Sequence, residues 1–372
     1  MEIFFRKIWM ALFLSVLSAA AYAGGPGMSV LGREDRGPYD CLLVEYDVPG
    51  SGKLRSFLLL PDGASAQEPC PGLVLLHDHG ARFDIGKEKL ARPMASAPLN
   101  IRRSALQWVR DNFDGVFLAD SLAGLGYAVI VPDMLYWGGR STGLARRWSR
   151  MRFCGEAGDI DSVKTALYEG QKAVYDSLEA CGVTWAWKTL QEDAAAAGLL
   201  RGLPCVDKDR IAVAGWSMGA HRAWMLAGFS DFIASGVSVC WMTLKETLPQ
   251  PYKASDYAML VPELRAEYDF PDIARRLVPR PYCFLSGKSD RLFPEEAVRE
   301  AFARMQDIYM EAGAGGRLET AFFDGGHHCG KQVQGQVVDF LEKTVPLRRR
   351  ICSHGEEDGM GPAEEEACGT HP

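Results

Sequence analysis

The sequence predicts an α/β fold in which a mostly parallel central sheet carries helices on both faces, and three observations predict it. Strand-like and helical segments alternate along most of the chain, which is the order that βαβ units produce. Several strand-like segments, such as 73–76 and 127–131, are continuous apolar runs, as expected for strands buried on both faces. With 47% hydrophobic residues among 372, the chain can enclose the large core that such a sheet needs.

Two antiparallel strands open the predicted sheet. The segments 41–48 and 54–60 are separated by Pro49-Gly50-Ser51-Gly52, which is the chemistry of a hairpin turn. The apolar runs 73–76 and 127–131 then lie on either side of a predicted helix around 115–125.

The alternation continues through the rest of the chain. Apolar and alanine-rich positions between 161 and 200 fit one or two helices, and runs rich in β-branched or aromatic residues predict the later strands. The predicted strands are 210–214, 236–241, 280–285 and 318–323, and the predicted helices among and after them are 220–228, 295–312 and 333–343.

The first 23 residues are typical of a secretory signal peptide. Two basic residues precede a nearly apolar run from 8 to 17, and small residues end the segment at Ala21-Tyr22-Ala23. The apolar run is short for a membrane span. We therefore expect cleavage after Ala23 and an exported protein, periplasmic or secreted, without a membrane association afterwards.

The mature chain is expected to form one large domain over 24–345. Two insertions, near 82–114 and 137–158, follow predicted strands and are candidates for the walls of a pocket. The tail 346–372 is rich in charge and glycine, and we expect it to be disordered. A net charge of −7 argues against nucleic acid as a partner.

The sequence has ten cysteines, all of them after the predicted signal segment. An exported destination permits disulfides, but the spacing of these cysteines establishes no pairing. Cys240 and Cys283 lie inside apolar strand-like runs, and we expect both to be buried thiols that behave as small hydrophobic side chains.

The pentapeptide Gly215-Trp216-Ser217-Met218-Gly219 is the most informative motif. It follows the apolar strand 210–214 directly and precedes a predicted helix that ends at Gly228. A serine on a sharp strand-to-helix turn needs small residues two positions to either side, because the strained backbone brings strand and helix close together. The motif therefore favours a nucleophile at Ser217 over a structural turn.

A serine hydroxyl is a weak nucleophile, so it needs a base and a carboxylate that orients the base. Asp290 follows the predicted strand 280–285 and is the expected acid, with a capping or turn role as the alternative. His327 is the expected base, and His328 remains open as the alternative. Asp324 is a second candidate acid, but its closeness in sequence to the histidines makes it less able to reach the far ring nitrogen.

The tetrahedral intermediate of acyl transfer needs hydrogen-bond donors for its oxyanion. The backbone amide of Met218 is the expected first donor, and the backbone amide of His79 is the expected second. An alternative is a zinc site in which His77 and His79 bind the metal together with His327 and His328. The residues that follow His79 lack the Asp-His pair of binuclear hydrolases, so we expect no metal or other cofactor and a packing role for His77.

At these motifs the chain resembles the α/β-hydrolase superfamily, and more narrowly the dienelactone-hydrolase and acetyl-xylan-esterase-like bacterial serine esterases. The resemblance covers roughly 40–345 and implies the α/β-hydrolase fold and hydrolysis of small acyl esters, often acetyl groups on plant polysaccharides such as xylan, through an acyl-serine. Ser217 replaces the cysteine nucleophile of dienelactone hydrolases, which favours esters over lactones. Asp78 departs from the pattern, since many relatives have glycine there. The motifs that carry the resemblance are 77–80, 83–89, 126–133, 209–211, 215–219 and 326–327.

Two other functions fit the same residues. A serine peptidase of related fold uses the same triad, but such enzymes usually carry a large N-terminal propeller, for which we expect no room here. A catalytically inactive binding protein is the other, and the presence of serine, aspartate and histidine candidates disfavours it. The partner expected from the sequence is thus a small acyl ester or an acetylated carbohydrate.

Overall fold

The structure is a computed structural model that describes residues 27–247 and 268–347. Its centre is a nine-stranded sheet. The strands are β1 (Met28–Asp35), β2 (Tyr39–Val48), β3 (Gly52–Pro61), β4 (Cys70–Leu76), β5 (Ala128–Pro132), β6 (Val206–Trp216), β7 (Ile233–Val239), β8 (Tyr282–Gly287) and β9 (Leu318–Phe323).

Helices connect most of the strands. They are α1 (Leu99–Asn112), α2 (Leu118–Leu125), α3 (Gly143–Cys154), α4 (Ile160–Ala180), α5 (Trp185–Arg201), α6 (Met218–Phe229), α7 (Ala274–Leu277), α8 (Glu295–Glu311) and α9 (Lys331–Thr344). Short 3-10 turns lie at Lys87–Lys89, Gly138–Arg140, Lys245–Thr247, Phe270–Ile273 and Gly315–Arg317.

The strand order is β1-β2-β3-β5-β4-β6-β7-β8-β9. The strands β1, β2 and β3 are antiparallel neighbours, β3 is antiparallel to β5, and the strands from β5 to β9 along the sheet are parallel. The carboxyl ends of the parallel strands therefore meet at one edge, where α/β proteins bind their ligands. The predicted α/β fold is confirmed.

The sheet separates two apolar cores. Along β4, Val74 and Leu76 face the core shared with α5, α6 and α8, whereas Leu73 and Leu75 face the core shared with α2 and α9. Because successive side chains of a strand point to opposite faces, a strand buried on both faces must be apolar throughout. This explains the unalternating runs in the sequence.

Both predicted insertions contain a helix. The first includes α1 and the second includes α3, and these two helices pack against each other. Lys87 in the first insertion is buried, and its Nζ donates a hydrogen bond to Asp133 Oδ2 at 2.7 Å. A charge can be buried at tolerable cost only when it is paired, so this contact ties the first insertion to the end of β5.

Two predictions lie wholly or largely outside the described residues: the signal segment 1–23 and the tail 346–372, of which only 346 and 347 are described. Across 27–247 and 268–347, no helix has the length and apolar character needed to cross a membrane.

Candidate active site

Ser217 lies on the sharp turn between β6 and α6. Its backbone has φ 56° and ψ −129°, a left-handed conformation that non-glycine residues rarely adopt and that costs free energy. A Cβ atom on Gly215 would overlap the carbonyl oxygen of Gly219, and a Cβ atom on Gly219 would overlap the carbonyl oxygen of Leu76. The two glycines are therefore required by close backbone approach, as expected for a nucleophile elbow.

The side chains of Ser217, His327 and Asp290 are hydrogen-bonded in series. His327 Nε2 lies 2.8 Å from Ser217 Oγ, and His327 Nδ1 lies 2.7 Å from Asp290 Oδ2. The Asp290 side chain is fully buried, and its other oxygen accepts a hydrogen bond from the Leu292 amide at 2.9 Å. The Trp216 ring lies against the imidazole of His327 with 5.0 Å between ring centroids.

The loops that follow β8 and β9 are joined by backbone hydrogen bonds. The amide of Lys288 donates to the carbonyl of Phe323 at 3.1 Å, and the amide of Ser289 donates to the carbonyl of Gly325 at 2.8 Å. These bonds bring the histidine loop alongside the loop that carries Asp290.

The two alternative residues from the sequence do not join this chain of hydrogen bonds. His328 Nε2 lies 3.3 Å from Asp114 Oδ1, at a half-exposed position. Asp324 is 91% exposed and accepts a hydrogen bond from Lys288 Nζ at 2.6 Å. The structure therefore brings His327 and Asp290 to Ser217, and it directs His328 and Asp324 elsewhere.

The predicted oxyanion donors lie on two adjoining segments. Met218 is the first residue of α6, and the first amides of a helix have no partner within the helix and carry its positive partial charge. The carbonyl of His79 accepts hydrogen bonds from Lys89 Nζ at 2.8 Å and Trp137 Nε1 at 3.0 Å, which fixes the loop after β4. The Gly219–Leu76 contact holds that loop beside the elbow.

The rings of His77 and His79 are committed to hydrogen bonds within the protein. The Met134 amide donates to His77 Nε2 at 3.1 Å, so Nδ1 carries the proton and donates to the carbonyl of Asp78 at 2.9 Å. The Ala81 amide donates to His79 Nδ1 at 3.0 Å, and His79 Nε2 donates to Gln171 Oε1 at 3.3 Å. Burial lowers the pKa of His77 well below its ordinary value and that of His79 to about 3.

These hydrogen bonds argue against zinc at the two histidines. A zinc ligand must offer a free ring nitrogen, and all four ring nitrogens of His77 and His79 have partners within the described chain. The zinc site that the sequence left open as an alternative is thus not supported, whereas the packing role expected for His77 agrees with its contacts.

A buried pair beside the oxyanion loop was not singled out from the sequence as functional. Lys89 Nζ donates to the carbonyl of Asp78 at 2.7 Å and lies 3.4 Å from Asp78 Oδ2. Burial raises the pKa of Asp78 and lowers that of Lys89 to about 8. Two of the segments that carry the family resemblance contain this pair: 77–80 includes Asp78, and 83–89 includes Lys89. The ammonium group of Lys89 therefore offsets part of the cost of burying the Asp78 carboxylate.

No family model matches the chain. A candidate hydrolase of Bacillus subtilis (strain 168), YtaP, is 25% identical over 306 residues, which span 80% of this chain and 86% of that protein.

Three solved esterase structures share the fold at low sequence identity. A candidate acetyl xylan esterase from Bacteroides fragilis NCTC 9343 has 19% identity and a TM-score of 0.59, over 85% of this chain and 75% of that one. The methylesterase BT1017 has 13% identity and a TM-score of 0.58, over 91% of this chain and 62% of that one, which is less than two thirds of its length. A glucuronoyl esterase from Solibacter usitatus has 15% identity and a TM-score of 0.51, over 91% of this chain and 93% of that one. Together with the sheet order and the elbow, these similarities show that the chain has the α/β-hydrolase fold.

Proposed function

We propose that the protein is an exported serine carboxylester hydrolase that acts through an acyl-serine at Ser217. The observation that carries the proposal is the position of His327, whose two ring nitrogens lie 2.8 Å from Ser217 Oγ and 2.7 Å from Asp290 Oδ2. This is the arrangement that activates a serine for attack on a carbonyl. The similarity to a candidate hydrolase over most of both chains supports hydrolysis as the reaction class.

In this proposal the reaction has two halves. Ser217 Oγ attacks the ester carbonyl while His327 Nε2 accepts its proton, and Asp290 stabilises the imidazolium and keeps the ring oriented. The backbone amides of Met218 and His79 donate to the oxyanion of the tetrahedral intermediate. His327 then returns the proton to the leaving alcohol, and a water molecule activated by the same histidine hydrolyses the acyl-serine.

The proposed substrate is an acetylated carbohydrate, with xylan-type polysaccharides as the first to be tested. Support comes from the candidate acetyl xylan esterase, which has the highest TM-score of the three structures compared above. The methylesterase and the glucuronoyl esterase among these structures make methyl esters of sugar acids the natural comparison series. An acetyl ester has a small acyl group and a large alcohol, whereas a methyl ester has the reverse, so the two series probe opposite sides of the serine.

Hydrolysis of p-nitrophenyl acetate by the purified protein and by Ser217→Ala tests the reaction class. We expect the wild type to hydrolyse the ester, the variant to lose at least about 1000-fold in kcat, and a chelator to have no effect. Retained activity in Ser217→Ala would rule out the serine mechanism. Loss of activity with the chelator would indicate a metal-dependent reaction. Acetylated xylan and sugar acetates, compared with methyl esters of sugar acids, then test the substrate class.

A further inference from the structure

We propose that Cys240 is a positioning residue for His327, and this inference rests on the function proposed for Ser217. Cys240 directly follows β7, which lies between β6 and β8 in the sheet. It therefore stands between the strand that leads to Ser217 and the strand that leads to Asp290. The sequence alone suggested only a buried thiol that fills space.

The backbone at Cys240 is held in an uncommon conformation. Its φ is 54°, a left-handed value that is costly for a residue with a side chain. The Cys240 amide donates a hydrogen bond to the carbonyl of Leu285 on β8 at 2.7 Å. This bond and the strained φ direct the fully buried side chain toward the loop that carries His327.

The thiol contacts the backbone on both sides of His327. Cys240 Sγ lies 3.9 Å from the carbonyl oxygen of Gly326 and 3.8 Å from the carbonyl oxygen of His328. A thiol is a weak donor that satisfies one acceptor at a time, so it can share its proton between these two carbonyls. The contacts hold the carbonyl groups of the residues before and after His327, and with them the direction of the imidazole.

The same sulfur lies beside the two ionisable members of the proposed triad. Cys240 Sγ, a carboxylate oxygen of Asp290 and a ring nitrogen of His327 all lie within 4.8 Å of one another. Burial, reinforced by the charge of Asp290, raises the pKa of Cys240 to about 12. The thiol is therefore neutral at neutral pH and adds no second anion to compete with Asp290 for the proton on His327.

Cys283 provides a matched control. It is a buried thiol on β8, it is only 4% exposed, and its partners in the sheet are Val237 and Glu319. Truncation of either cysteine to alanine removes one sulfur from a packed interior and is expected to lower the melting temperature. Only truncation of Cys240 also removes contacts to the histidine loop.

The test compares Cys240→Ala, Cys240→Ser and Cys283→Ala in the full chain. The first readout is the far-downfield proton NMR signal of His327 Nδ1–H, assigned by its loss in His327→Ala. The second is the separate measurement of kcat and KM on p-nitrophenyl acetate.

We expect Cys240→Ala to shift or broaden the signal and to lower kcat by about 10- to 100-fold, since small displacements of a reacting group have effects of this size, with KM unchanged. Cys240→Ser keeps a donor at the position and should recover most of kcat, which makes it informative even if Cys240→Ala folds poorly. Cys283→Ala should lower the melting temperature but leave the signal and kcat unchanged.

The inference is overturned if Cys240→Ala keeps the wild-type signal and kcat while its melting temperature falls as in Cys283→Ala. A wild type that shows the signal but hydrolyses no ester would refute the proposed function and leave the positioning role to be judged by the signal.

Discussion

Gly219 packs so closely against Leu76 that a Cβ atom on the glycine would overlap the leucine carbonyl oxygen. Gly219 follows the proposed nucleophile by two residues, and Leu76 ends β4, the strand beside β6. The contact therefore sets the distance between the elbow and the loop that begins at His77. Both proposed oxyanion donors, the amides of Met218 and His79, depend on it.

Gly219→Ala is expected to damage both stability and activity. The added methyl group meets backbone atoms, which cannot move aside as a flexible side chain would, so we expect a loss of about 3 kcal/mol in the free energy of unfolding. Gly335→Ala in α9 is the control, because a Cβ atom there meets nothing within 4 Å and alanine favours a helix by about 0.5–1 kcal/mol. Thermal unfolding of both variants checks this, and equal melting temperatures would contradict it.

Replacement of each histidine by alanine separates the proposed base from its neighbour. His327→Ala removes the group 2.8 Å from Ser217 Oγ, and we expect kcat on p-nitrophenyl acetate to fall by about 10⁴-fold or more. His328→Ala removes a half-exposed contact to Asp114, which is worth little, so its kcat should stay within a few-fold of the wild type. Equal mild losses in both variants would dismiss His327 as the base.

Replacement of each aspartate near the histidine loop by asparagine separates the proposed acid from its neighbour. Asp290→Asn keeps the shape of the side chain but cannot stabilise a protonated imidazole or enforce its tautomer, and we expect about a 10⁴-fold fall in kcat. Asp324→Asn weakens only an exposed ion pair with Lys288 and should leave kcat unchanged. Steady-state kinetics of both variants provide the check, and a larger loss for Asp324→Asn would exchange their roles.

We expect His221 to make the stability of the fold depend on pH. Its ring is buried in α6 against Trp241, with 4.4 Å between ring centroids, and burial lowers its pKa from 6.5 to about 3. His221 is therefore protonated below pH 6.5 in the unfolded chain, whereas the same imidazole stays neutral in the folded chain. The contribution of His221 to the free energy of unfolding is fully present above pH 6.5 and is lost as the pH falls toward 3. At pH 5 the loss amounts to about 2 kcal/mol.

The variant His221→Phe tests this dependence. It keeps an aromatic ring in the packed site and removes the titrating group, so the melting temperature should fall less between pH 7 and pH 5 than in the wild type, by a few degrees. His77 and His79 are buried and neutral as well, so the dependence is expected to weaken rather than vanish. Parallel curves of melting temperature against pH for variant and wild type would rule His221 out as a contributor.

The central parallel strands were predictable from the sequence because they are apolar on both faces, and the predicted strands 73–76 and 127–131 correspond to β4 and β5. The predicted strand 318–323 coincides with β9, and the predicted hairpin 41–60 corresponds to β2 and β3. The first strand, β1, was not predicted, because it lies at the sheet edge with most of its residues exposed and lacks an apolar pattern. Propensity alone identifies such a strand poorly.

The helices α1 and α3 were not predicted from the sequence, which indicated only insertions near 82–114 and 137–158. The buried face of α1 includes Asn100 and Ser104, and that of α3 includes Ser149, which bonds Asn100 and Asp84. Polar residues on the buried faces conceal the helical period from an analysis of hydrophobicity. The contacts that bury them exist only once both insertions have folded.

The candidate site was predictable in its members but not in its geometry. The order of Ser217, Asp290 and His327 along the chain agreed with the fold, while the choice between His327 and His328 depended on the course of one loop. That course is set by backbone bonds between the β8 and β9 loops, which sequence spacing does not reveal. The contact between Cys240 and the histidine loop could not be predicted from sequence spacing either, because it joins residues far apart in the chain.

Fluorophosphonate labelling determines whether Ser217 is an activated nucleophile. The reagent forms a bond from its phosphorus to an activated serine oxygen and releases fluoride, and mass spectrometry of peptides locates the adduct. We expect one adduct per chain, on Ser217, in the wild type and none in His327→Ala. Hydrolysis of p-nitrophenyl acetate by a protein in which Ser217 remains unmodified would contradict this expectation.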